Sequence, residues 1–163
     1  MKRIILATTI AATTLAGPVL AEHQLPISPN LRCEIYRLDM ISDGYRINLS
    51  GSDLREYMRE MGQDDMMGVV FDDHMVSFTS SQTAYNPMFA IPHNYQVRGN
   101  NITFDSGNFR FEIQDVQLRG RISGTISLNA LELEQDMQLS MRQGSNSSWI
   151  ETSGTGYARC REL

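Results

Sequence analysis

The chain has 163 residues, a formal net charge of −5 and two cysteines. That length suits one domain, and the acidic balance excludes nucleic acid as a natural partner, because a phosphate backbone repels such a surface. Lys2 is the only lysine, so Schiff-base, lysine-general-base and phosphate-loop chemistries are closed to everything after it.

The opening "MKRIILATTIAATTLAGPVLA" places Lys2 and Arg3 before an apolar run from Ile4 to Leu15. Gly17-Pro18 then breaks any helix, and Val19-x-Ala21 leaves small residues where a signal peptidase reads. A membrane anchor needs about 20 apolar residues, more than this run supplies. Residues 1–21 are therefore expected to be a signal peptide cleaved near Ala21, and 22–163 a single domain, periplasmic or secreted. Cleavage removes Lys2 and Arg3, leaving twelve Arg against 19 acids and a net charge of −7.

Cys33 and Cys160 lie near the two ends of that domain. An even cysteine count in an oxidising compartment predicts one disulfide. The closed loop is long, and its entropy corresponds to about 4–5 kcal/mol of stabilisation.

"RCEIYRLDMISDGYRINLSG" predicts a hairpin. Tyr36, Leu38 and Met40 alternate with charged residues, the turn is Ser42-Asp43-Gly44, and Tyr45, Ile47 and Leu49 alternate on the return. Next, Leu54, Tyr57, Met58 and Met61 fall at i, i+3, i+4 and i+7, which predicts a short amphipathic helix over 53–61. In "DDMMGVVFDDHMVSF", Met67, Val69 and Phe71 share one face, Asp72-Asp73-His74 has turn chemistry, and Val76 and Phe78 follow. The same stretch holds a metal alternative: His74, Met75 and Met67 offer imidazole and thioether ligands that suit copper. Alternation weighs against it, since adjacent strand residues face opposite ways.

The segment around Pro87 and Pro92 reads as a loop or edge strand. Tyr85, Met88, Phe89, His93 and Tyr95 make it the candidate ligand- or partner-binding surface. "YQVRGNNITF" predicts a hairpin about Gly99-Asn100-Asn101, and Phe109 to Ile113 another strand. From Val116 to Leu128 every even position is apolar or Gly and every odd one polar; Leu131, Leu133, Met137, Leu139 and Met141 answer it. A turn at Asn129-Ala130 pairs Ile126 with Leu133, Gly124 with Gln135, Ile122 with Met137 and Gly120 with Leu139. The inward parity changes between Ile113 and Val116, which predicts a bulge or corner at Gln114-Asp115. The last strand carries Trp149, Ile150, Tyr157 and Cys160.

The expected fold is all-β: a small antiparallel meander closing into a barrel of about eight strands, with one short amphipathic helix. A β-sandwich is the runner-up. In architecture alone such a barrel resembles the lipocalins. Their Gly-x-Trp at the first strand is absent here, so no family follows. A barrel of this size is filled with side chains or holds one small ligand. Met40, Met67, Met137 and Met141 suit either state, and the filled core is the expectation. No serine elbow, His-Glu-x-x-His or phosphate loop occurs, so no catalytic residue and no cofactor is expected. The expected role is a non-enzymatic binding or interaction module of the bacterial envelope, taking a small apolar ligand or a protein partner. A periplasmic copper-binding protein and a small outer-membrane barrel are the alternatives.

Overall fold

Alternating apolar and polar residues make a strand two-faced, and the face that avoids water must find a partner. In the computed structural model, which describes residues 25, 27–60, 63–80, 91–113, 115–144 and 147–163, they find one by closing a ring. The described elements are β1 (Asn30–Ser42), β2 (Tyr45–Ser50), α1 (Gly51–Glu60), β3 (Met66–Asp72), β4 (Met75–Ser80), β5 (His93–Arg98), β6 (Asn101–Asp105), β7 (Phe109–Ile113), β8 (Val116–Ser127), β9 (Glu132–Gln143) and β10 (Ile150–Glu162). Eight strands form a closed antiparallel barrel in the order β1-β3-β4-β5-β6-β8-β9-β10, with β10 paired back to β1.

β2 and β7 stand outside the ring. At about 3.4 Å per residue, strands of 12 or 13 residues are longer than a small barrel wall needs. β1 therefore gives Asn30–Glu34 to β3 and Arg37–Ser42 to β2. β8 gives Ser123–Ser127 to β6 and Val116–Gly120 to β7. The neighbour changes between Gly120 and Ser123.

The β8–β9 register is the predicted one, with Ile126 opposite Leu133, Gly124 opposite Gln135, Ile122 opposite Met137 and Gly120 opposite Leu139. Of the two expectations between Ile113 and Val116, a bulge or a corner, the chain takes the corner. Ile113 pairs with Val116, so the parity change marks a hairpin reversal and not a bulge in one continuous strand. Residues facing each other across a tight hairpin share a face, which is why the parity appears to slip. The bulge lies in β1, where the pairing with β10 shifts between Ile35 and Arg37. Leu31 and Cys33 point inward before it, and Leu38 and Met40 after it. Tyr36 is the extra residue, and it leaves the core face where alternation had put it. Its ring lies 6.4 Å from that of Tyr157, under the Arg159 guanidinium at 4.7 Å.

Two-residue turns stand at Asp43-Gly44 and Asp73-His74 as predicted, whereas the β8–β9 turn about Asn129-Ala130 runs from Leu128 to Leu131, with Leu131 at φ 50°. Asp43 and Gly44 have φ of 51° and 81°, and Asp73 has φ of 45°, values that Asp and Gly tolerate best. The helix begins two residues earlier than predicted, at Gly51. Cys33 and Cys160 are direct partners in the β1–β10 ladder and are joined by a disulfide. The main core includes Val69, Val76, Ile102, Ile126 and Leu133, all at most 2% exposed. A second cluster packs Leu54 and Met58 of α1 on Leu38 and Met40. The outer wall carries exposed Arg119, Arg121, Glu132, Glu134 and Asp136. Among the described residues no helix is long and apolar enough to cross a membrane.

Candidate functional site

The barrel is not filled throughout. Beneath α1, beside the contact of Leu54 and Met58 with β1, lies a cavity of about 290 Å³, which corrects the expectation of a filled interior. Its walls come from six of the eight ring strands: Leu38 of β1, Met67 of β3, Phe78 of β4, Ile122 of β8, Met137 of β9 and Ala158 of β10, with Met58 of α1 above. Met40 and Met66 also face it, so five thioether side chains contribute to a soft, adaptable lining. Met141, expected inward with the others, is 45% exposed on the part of β9 that runs past the ring.

The hollow has a local cause in the sequence. Gln135 lies opposite Gly124 on one side and Gly156 on the other, so the layer that holds its side chain has none from either neighbour. The two glycines differ. A Cβ on Gly124 would be driven into the Glu134 carbonyl and the Phe104 ring; that position is already occupied by a neighbour. A Cβ on Gly156 would meet only Leu38 Cδ1 at 3.8 Å and the Gln135 carbonyl at 4.0 Å, ordinary contacts bordering open space. Thr152, also on the lining, shares a 3.1 Å hydrogen bond with the Ser42 hydroxyl. The Gln135 amide has no hydrogen-bond partner among the described residues.

The predicted surface residues are placed differently. Tyr85, Met88 and Phe89 lie outside the described residues. His93 belongs to β5 rather than to a loop, Tyr95 lies in the first strand of its predicted hairpin, and both are buried, at 0% and 9% exposure. The Tyr95 hydroxyl donates to the Asp73 carbonyl at 2.6 Å and its ring meets Phe71 edge-on, so it anchors the β3–β4 turn. His93 sits between Phe78 and Phe104, with ring centroids at 5.1 and 5.6 Å. Neither ring nitrogen has a hydrogen-bond partner. Burial pushes its pKa below the ordinary value; the backbones of Ile91 and Val76 pull the other way without closing a bond.

The copper set does not assemble. His74 is exposed in the turn, Met67 points inward opposite Ser80, and Met75 pairs with Asp72 on the other face. Met67 and Met75 therefore sit at opposite ends of their hairpin, about 17 Å apart along the strand. Among the described residues no group of three His, Cys, Asp or Glu side chains is placed to hold a metal ion.

A larger hollow of about 890 Å³ lies where the β1–β2 turn meets β7 and the distal parts of β8, β9 and β10. It is an open groove lined by three arginines: Arg121 pairs with Asp105, Arg119 with Glu151 at 3.6 Å and the Trp149 ring at 4.2 Å, and Arg110 lines it as well. The smaller, more enclosed cavity is the better candidate, because mainly apolar walls with a few polar groups, here Tyr57, Gln63, Asp64, Gln135, Thr152 and Tyr157, are what small-molecule sites present. Sequence reasoning had named three of its five methionines, Met40, Met67 and Met137, as walls but missed Gln135 and Gly156. The signal was a polar residue at an inward position, beside an inward glycine. Compared with protein-family models, with curated proteins and with solved structures, the chain matches none.

Proposed function

We propose that the protein is an exported carrier or sensor that holds one small apolar molecule inside its barrel, under α1. The cavity is the observation that carries this reading. Protein interiors pack with few voids larger than a water molecule, and an apolar void of about 290 Å³ is a standing loss of dispersion contacts that a ligand restores. The disulfide and the leader-like first 21 residues support export. The charged outer wall and apolar lumen support a water-facing barrel over the outer-membrane alternative, which requires the opposite polarity.

Naphthalene, with ten carbons, suits the space and tests the reading. It should raise the melting temperature of the disulfide-bonded protein, and the rise should vanish in Gly156→Val, whose side chain enters the cavity from a position that has room for it. No shift in the unaltered protein would refute ligand binding there.

A further inference from the structure

We infer that the ligand is an uncharged, mainly hydrocarbon molecule of about twelve non-hydrogen atoms carrying one hydrogen-bonding group, which Gln135 holds. This rests on the binding reading above and specifies its chemistry.

Size comes first. A cavity of 150 Å³ accepts benzene, so about 290 Å³ takes roughly twice as many atoms, about twelve. Polarity follows from the lining. The Thr152 hydroxyl is already paired with Ser42. Tyr57, Gln63 and Tyr157 also bring polar ends to the lining, but Gln63 borders the open hollow beside α1 as well, and of the two amides Gln135 is the one set in the barrel wall, between Gly124 and Gly156. An amide both donates and accepts, so it matches an alcohol, ketone or amide on the ligand. The space beside Gly156 lets that group lie next to the Gln135 side chain.

Charge then excludes the commonest amphiphiles. No Arg, Lys or His lines the cavity among the described residues, and its one charged lining residue, Asp64, is an acid. A carboxylate brought inside would be desolvated with no counter-charge and would bind only by taking up a proton. Fatty acids in their ionised form are therefore poor ligands.

Three probes of one shape separate the outcomes: naphthalene, 2-naphthol and 2-naphthoate, titrated near neutral pH and followed by their own fluorescence. We expect 2-naphthol to bind about tenfold more tightly than naphthalene, since it satisfies an otherwise unpaired amide, and 2-naphthoate to bind more weakly than either. In Gln135→Leu the preference for 2-naphthol should disappear while naphthalene still binds. Equal affinity for naphthoate and naphthol, or an alcohol preference that survives Gln135→Leu, overturns the inference and leaves the cavity reading standing. Failure of all three to bind removes the cavity reading itself.

Discussion

Gly124 and Gly156 flank the same glutamine, yet their substitutions should act in opposite directions. Gly156→Val adds β-branched apolar volume where a Cβ meets nothing closer than 3.8 Å, so stability should hold or rise by about 1 kcal/mol while naphthalene binding is lost. Gly124→Ala forces a methyl into a carbonyl and the Phe104 ring and should cost about 1–3 kcal/mol. Urea unfolding of the two variants checks both signs. His93 supplies the acid sensitivity. Its imidazole is held neutral, with a folded pKa below the 6.5 of an unfolded chain, so below about pH 6.5 the unfolded state binds the proton first. Stability present above that pH is lost progressively as pH falls toward the folded value. Asp105, held below its ordinary 3.8 chiefly by its hydrogen bond from Arg121, contributes in a lower window: its stabilisation is present above that value and is lost as pH falls through the folded pKa. In His93→Leu the loss between pH 6.5 and 5 should flatten, and stability near neutrality should rise by about 1–3 kcal/mol because two orphaned nitrogens are gone. A steeper pH dependence in that variant would refute the assignment.

Elements differ in how firmly they are tied into the ring. β1 and β10 pair from Leu31–Glu162 to Ser42–Thr152, whereas among the described residues β4 and β5 meet at two register positions, Met75–Asn94 and Val76–His93. Hydrogen exchange should therefore open the β4–β5 seam first among the barrel's seams and β1–β10 among the last. The reverse order would contradict the register. α1 is held chiefly by Leu54, at 1% exposure, and Met58, at 6%. Leu54→Ala should cost about 2–4 kcal/mol and speed naphthalene release, because the helix that roofs the cavity loses its main anchor. Much of this level was legible in the chain. Period two in "VQLRGRISGTISL" and its answering strand set both faces and the register, and the helical stripe at Leu54 and Met58 named the pair that packs. The strand character of His93 was hidden by Pro92 beside it, since proline next to an alternating pair looks like a loop boundary.

For the molecule as a whole, the disulfide and the β1–β10 ladder close the ring together. Cys33→Ser with Cys160→Ser should lower stability by about 2–5 kcal/mol without changing the β-sheet circular dichroism, because eleven backbone pairs remain. Loss of the sheet signal would show that sulfur, not the ladder, closes the barrel. Adding reductant to the unaltered protein should reproduce the drop in melting temperature.

What could be deduced from residue order was whatever depends on near neighbours: which face of each strand avoids water, where Asp and Gly reverse the chain, one helix, and one pairing of the two cysteines. Alternation and turn chemistry act over a few residues, so they are written locally. The Tyr36 bulge, the placing of β2 and β7 outside the ring, the burial of His93 and the cavity beside Gln135 needed the assembled molecule. Each results from how several distant strands divide one edge or fill one shared volume. No stretch of the chain, taken alone, contains the sum of side-chain volumes that leaves about 290 Å³ unfilled.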